Sequence, residues 1–237
     1  MTAFRSIVWS SVGKKFITGV TGLALIGFVT VHLIGNLTLF IPDGGHAFNA
    51  YAHFLEHAAH GWLIYAFEAG LILIFLAHMI SAVTVAWTDK RSARPRGYAM
   101  QKNAGGKSRK TLSSTSMILT GLLLIVFVVL HVKMFKYADH PMVTYDGTQM
   151  KDLFAVVVDA FKTPWITFGY VGVMILLGLH LRHGAWSAFQ SLGWSSDRHM
   201  PLLQGVSVVL SVAMALGFLV LPLYIYFLVD APLPGGH

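Results

Sequence analysis

The chain has 237 residues, of which 55% are hydrophobic and only 11% are charged, whereas soluble domains carry about 25% charged residues. This composition excludes an ordinary soluble domain and indicates a polytopic membrane protein. Because the chain contains no cysteine, it can hold no disulfide, no thiolate-bound iron–sulfur cluster and no covalently attached c-type haem. The net charge of +7 does not indicate nucleic-acid binding, since the basic residues flank apolar segments instead of forming a patch with interleaved aromatic residues.

Five segments are long and apolar enough to span a bilayer, which takes about 20 residues per helix. We therefore predict an all-α membrane protein whose residues 1–237 form a single transmembrane domain. The Lys14-Lys15 pair leads into a span too long for a signal peptide, so the first span is expected to be retained. Residues 1–13 are interpreted as a short segment on the inner membrane surface or as a frayed end. The predicted spans are approximately 15–41, 62–87, 112–137, 164–190 and 201–228.

The first span carries His32 and ends at a Pro- and Gly-containing turn, 42–45. A segment poor in basic residues follows, in which three histidines have the i, i+4, i+7 spacing of one helix face. They are His53, His57 and His60, with Glu56 beside them. This spacing permits a zinc site or the lid of a pocket, but it is also typical of a solvated polar helix face.

The second span carries Glu68 and His78, and a loop with eight basic residues and one acid follows it at 88–111. By the positive-inside rule, this loop is cytoplasmic. Two spans precede the loop, so the N-terminus is predicted to be cytoplasmic as well. The Arg5, Lys14 and Lys15 side chains near the N-terminus agree with that orientation.

The third span carries His131, and the fourth carries His180 with Arg182 and His183 close to its inner end. The loop between these two spans has balanced lysines and aspartates, which suits the outer side of the membrane. The fifth span has no histidine, and the tail after it is predicted to lie outside.

The four histidines inside the first four spans fall into two levels of depth. At 1.5 Å per residue, each lies about 24–28 Å from the beginning of its own span. Because alternate spans run in opposite directions, His32 and His131 are predicted near the outer face, and His78 and His180 near the inner face. The two levels are separated by roughly 13 Å of a core about 30 Å thick.

An imidazole in hydrocarbon is costly unless a partner satisfies it, so an intramembrane histidine is a functional candidate. A backbone carbonyl or a serine on a neighbouring helix would satisfy a lone histidine. Two imidazoles at one level on different helices are instead what a six-coordinate haem iron needs. We therefore predict that the first four spans form a haem-binding bundle, with His32 and His131 holding one haem and His78 and His180 holding the other.

These motifs resemble the single-chain, five-helix, di-haem cytochrome b subunit of succinate dehydrogenases and fumarate reductases. The resemblance covers nearly the whole chain. Its most specific parts are Ser11-Val-Gly-Lys-Lys15 leading to Thr21-Gly22, His32-Leu-Ile-Gly-Asn-Leu37, and the run from His180 through Arg182-His183-Gly184 to Gly193.

The resemblance implies a membrane anchor in the cytoplasmic (inner) membrane, with lipid around it and a flavoprotein subunit and an iron–sulfur subunit on its cytoplasmic side. Electrons would pass between the iron–sulfur clusters, two haems b and membrane quinone, expected to be menaquinone. His78 and His180 would hold the proximal haem, and His32 and His131 the distal one. Arg182 and His183 would contact haem propionates. The chain would be the haem and quinone subunit of the enzyme, and the dicarboxylate active site would lie in a partner.

Quinone chemistry moves two protons with two electrons, so a quinone site needs a titratable group that can reach water. Glu68 is the only acid within the predicted spans, and Glu56 lies just before the second span. We predict a quinone site at the outer level in which one of these carboxylates handles protons. A solvated face for Glu56 and an interfacial hydrogen bond for Glu68 are the structural alternatives.

Two other functions are compatible with the pattern. A haem b subunit of a different respiratory oxidoreductase would share the paired histidines but not the motifs given above. A non-redox transporter would use the histidines and Glu68 as a proton relay.

Overall fold

The computed structural model describes residues 9–89, 112–194 and 196–230. This part of the chain is mostly helical. Its α-helices are α1 (Ser11–Asn36), α2 (His46–His57), α3 (Trp62–Thr84), α4 (Leu112–Phe135), α5 (Leu153–Lys162), α6 (Pro164–Ser191) and α7 (Met200–Leu228). A 3-10 turn, Leu37–Phe40, extends α1, and a π turn, Val85–Asp89, extends α3.

Helices α1, α3, α4, α6 and α7 are each long and apolar enough to cross a membrane. The prediction of five transmembrane helices is therefore confirmed, with ends within a few residues of those expected. The largest difference is at the start, because α1 begins at Ser11 and includes residues predicted to lie on the membrane surface. The basic residues of the loop, 90–110, lie outside the described residues.

The exposed surface of these helices is apolar and several buried positions are polar. Large exposed side chains include Leu73, Leu119 and Val209, each more than 60% exposed. Thr120 and Ser207 are 2% exposed. Hydroxyls of this kind bond the carbonyl one turn earlier, as Ser207 Oγ does with the Leu203 carbonyl at 2.7 Å. Small polar residues between helices and large apolar ones outside are typical of proteins surrounded by lipid.

Contacts divide the chain into two compact units. The first unit comprises Met1–Gly27, Leu71–Gly121 and Leu179–Val212, and the second comprises Phe28–Gly70, Leu122–Gly178 and Ala213–His237. Each of the five long helices contributes one end to each unit. His78 and His180 belong to the first unit, and His32 and His131 belong to the second.

The second unit contains a hydrophobic core and a folded region outside the long helices. The core joins Leu39, Phe48, Val158, Phe161 and Ile225, which come from the end of α1 and from α2, α5 and α7. Strands β1 (Met142–Tyr145) and β2 (Thr148–Lys151) form an antiparallel hairpin. This hairpin and α5 lie where the sequence predicted only a loop, so the fold departs here from the all-α expectation.

The hairpin turn and a buried polar contact explain this extra structure. Asp146 and Gly147 both have positive φ, as a two-residue hairpin turn requires. Asn49 is completely buried on α2, and its amide nitrogen donates to Asp152 Oδ1 at 2.9 Å. The same Asp152 oxygen caps α5 by accepting from the Ala155 N–H at 3.0 Å, and Asn49 Oδ1 accepts from the Phe154 N–H at 2.8 Å.

Candidate functional site

The two histidines of the first unit are held through their Nδ1 atoms. His78 Nδ1 lies 3.2 Å from the Thr18 carbonyl oxygen and 3.3 Å from Thr21 Oγ1. A carbonyl oxygen can only accept a hydrogen bond, so Nδ1 is the nitrogen that carries the proton. The Nε2 lone pair of His78 is therefore available to a metal.

His180 has the same tautomer for a different reason. Its Nδ1 lies 3.2 Å from Thr120 Oγ1. The single hydroxyl proton of Thr120 is directed to its own helix, where Oγ1 lies 3.0 Å from the Ser116 carbonyl oxygen. Thr120 must then accept from His180 Nδ1–H, and the Nε2 lone pair is again free.

Helix contacts fix where these rings lie. Thr18 on α1 hydrogen-bonds Ser81 on α3 at 2.8 Å, one turn from His78. A Cβ atom at Gly22 would lie 3.2 Å from His78 Cε1, and one at Gly121 would lie 3.5 Å from His180 Cε1. A Cβ atom at Gly22 would also lie 3.5 Å from His78 Nδ1, so each glycine leaves room for the histidine ring that packs against it.

The two histidines of the second unit lie side by side in an edge contact. The ring centroids of His32 and His131 are 5.8 Å apart, and the ring planes are inclined by 85°. Metal–imidazole nitrogen bonds are about 2.0 Å long, so rings on opposite sides of one metal have centroids about 6 Å apart. His131 Nδ1 lies 3.0 Å from the Tyr170 hydroxyl.

Aromatic side chains enclose this second pair. Phe28 and Phe218 stack on the His32 ring with centroid distances of 5.6 and 5.9 Å. Phe127 and Phe135 lie 5.5 and 5.2 Å from His131. Phe218 belongs to α7, so the fifth long helix contributes to the surroundings of His32 even though it has no histidine of its own.

The two candidate carboxylates also lie in the second unit, and both form ion pairs. Glu68 pairs with Lys136, and Glu56 Oε1 lies 2.9 Å from Lys151 Nζ. All four side chains are between 33% and 49% exposed. Each carboxylate is thus accessible to the surroundings and lies beside an ammonium group.

Arg182 and His183 lie in the first unit, beyond His180 on α6. Arg182 is exposed, and the His183 ring makes an edge contact with Trp186 at 4.9 Å. Their predicted contact with haem propionates stays a prediction.

The zinc interpretation of His53, His57 and His60 is not supported. Helix α2 ends at His57, and Ala59 and His60 have positive φ, so His60 does not continue the helix face. The His57 ring stacks on His53 at 3.9 Å, and its Nδ1 bonds the His53 carbonyl at 2.9 Å. Across residues 9–89, 112–194 and 196–230, no group of three or more His, Asp or Glu side chains is arranged to hold a metal ion.

The structure adds residues that the sequence did not identify, namely Thr18, Thr21, Thr120, Tyr170 and Phe218. Four of them carry hydroxyl groups, and three of those hydroxyls lie at 3.0–3.3 Å from a histidine nitrogen. These three residues could have been predicted from the sequence, because each carries a hydroxyl group in an apolar helix at the same depth as a histidine on another helix.

Comparisons with family models, curated proteins and solved structures found no match for this chain. Its function is therefore inferred from its own residues and their geometry.

Proposed function

We propose that this chain is the di-haem cytochrome b membrane anchor of a succinate:quinone oxidoreductase. The observation that supports the proposal is that the four histidines come from four long helices and that two of them fall in each compact unit. In the first unit, both rings hydrogen-bond through Nδ1 to groups that must accept, which is the arrangement of histidines that ligate a metal through Nε2.

His78 and His180 would hold one haem b, and His32 and His131 would hold the other. The haem supplies one-electron transfer when it is bound. The protein would supply the ligands and their orientation. The Thr18 carbonyl orients the His78 ring, and the Thr120 hydroxyl orients the His180 ring. Around the second pair, the phenyl rings of Phe28 and Phe218 keep water away from His32.

We propose that a quinone site lies on the side of the second unit, and that Glu56 or Glu68 handles its protons. Oxidation of a quinol to the quinone releases two electrons and two protons. The haem held by His32 and His131 would take up the two electrons one at a time, and an ionised carboxylate would accept each proton in turn and release it to water. The partial exposure of both ion pairs supports this role, because the carboxylates can exchange protons with the surroundings.

The partners would be a flavoprotein subunit and an iron–sulfur subunit on the cytoplasmic side of the inner membrane, next to loop 88–111. This side follows from the eight basic residues of that loop. Succinate or fumarate chemistry would then belong to the complex, and electrons would pass between this chain and the dicarboxylate site through the iron–sulfur partner.

An optical spectrum of the protein purified from its native membrane tests the proposal. We expect a reduced-minus-oxidised spectrum of haem b, two haems per chain, and co-purification of a flavoprotein with an iron–sulfur protein. A colourless chain would contradict haem binding and favour the proton-coupled transporter. A haem-containing chain that purifies with a different dehydrogenase would favour the other respiratory oxidoreductases.

A further inference from the structure

Tyr170 is a polar neighbour of His131, and aromatic contacts hold its ring in place. The Tyr170 ring packs against Phe127 and Phe161, each with a centroid distance of 5.0 Å. These contacts bring the hydroxyl to 3.0 Å from His131 Nδ1. Replacing Tyr170 by Phe would therefore remove one oxygen atom and keep the aromatic packing.

The hydrogen bond has a chemical consequence if His131 ligates a metal through Nε2. Nδ1 then carries the ring proton and donates it to the Tyr170 oxygen. An imidazole whose N–H is hydrogen-bonded is a more basic ligand. A more basic ligand stabilises the oxidised, more positive state of the iron and so lowers its reduction potential.

We propose that Tyr170 is a positioning residue that lowers the midpoint potential of the haem held by His32 and His131. The inference rests on the proposed function, since it requires that His131 is a haem ligand. His131 keeps its Nδ1 proton in both redox states, so a single electron is exchanged without making or breaking a bond at the ligand. Tyr170 acts only through the His131 ring and does not need to contact the quinone.

Redox titration of the membrane-bound complex with Tyr170→Phe tests the proposal. We expect both haems to be retained, one midpoint potential to become more positive, and the other to stay at its wild-type value. Tyr226→Phe is the matched control, because the Tyr226 ring packs on Phe168 in the same unit. That variant should change neither potential.

The outcomes separate this inference from the proposed function. A wild-type chain without haem would refute the function itself. Two haems with unchanged potentials in Tyr170→Phe, or equal shifts of both potentials, would overturn the role of Tyr170 alone. If Tyr170→Phe loses haem, 3-fluorotyrosine at position 170 decides, since it keeps the hydroxyl but weakens its oxygen as an acceptor. An unchanged potential with the fluorinated residue would overturn the proposal, and a positive shift of one potential would support it.

Discussion

At the scale of single residues, the hydrogen bonds to Nδ1 decide which histidine nitrogen can bind a metal. His78 donates to a main-chain carbonyl, and His180 donates to a threonine whose own proton lies on its helix. Neither bond uses Nε2, so the lone pair of that nitrogen is available to a metal in each ring.

Gly22→Leu should remove one haem and leave the other. A Cβ atom at position 22 would be 3.2 Å from His78 Cε1 and 3.5 Å from its Nδ1, so the longer leucine side chain would displace the His78 ring. Haem content per chain, measured after purification, should fall by about half if one of two sites is lost. Gly27→Leu is the matched control on the same helix, because nothing lies within 4 Å of a Cβ there. Equal haem content in the two variants would show that Gly22 is not needed to leave room for the His78 ring.

The carboxylates give a second prediction at this scale. Replacing Glu56 or Glu68 by Gln removes the proton acceptor and keeps the shape of the side chain. We expect at least one of the two variants to lose quinone-linked turnover while its haem spectrum stays normal. Reduction of the haems by dithionite serves as the control, because it does not require quinone. Full turnover in both variants would exclude the proton role proposed for them.

At the scale of elements, the five long helices could be predicted from the amino-acid composition of their segments. The hairpin and the shorter helices between them could not. Apolar runs of about 20 residues have few alternatives in a membrane. The hairpin Met142–Lys151 and helix α5 were missed because their stability comes from tertiary contacts such as Asn49 with Asp152. The hydrogen-bond partners of the histidines, such as Thr18 and Tyr170, were not predicted because they too depend on tertiary contacts. The depth of a residue in its span can be calculated from the sequence. The direction in which the Thr120 or Tyr170 side chain points depends on helix packing and cannot.

The contact of Asn49 with Asp152 is predicted to stabilise the region formed by α2, the hairpin and α5. Asn49→Ala leaves the buried Asp152 carboxylate and the Phe154 N–H without their partner, which costs about 1–3 kcal/mol for a buried group. The midpoint of thermal unfolding in detergent should fall. Lys151→Ala breaks an exposed ion pair worth at most about 1 kcal/mol and should change the midpoint much less. A larger effect of Lys151→Ala would contradict this assignment.

At the scale of the whole molecule, apolar exterior surfaces and buried hydroxyls agree with a chain surrounded by lipid. If all five long helices span the membrane, the two chain ends lie on opposite sides. From the basic loop we predict that the N-terminus is cytoplasmic and the C-terminus is external.

A topology reporter checks this orientation. Alkaline phosphatase fused after His237 should be active, since that enzyme matures outside the cytoplasm, and a fusion within loop 88–111 should be inactive. The reverse pattern would place the soluble partners on the other side and would contradict the proposed assembly.

Haem analysis of four single variants tests whether His78 pairs with His180 and His32 pairs with His131. His78→Ala and His180→Ala should each remove one and the same haem, identified by its midpoint potential in a redox titration. His32→Ala and His131→Ala should each remove the other haem. A different pattern, in which His32→Ala and His131→Ala abolish different haems or in which all four variants keep both, would contradict the account.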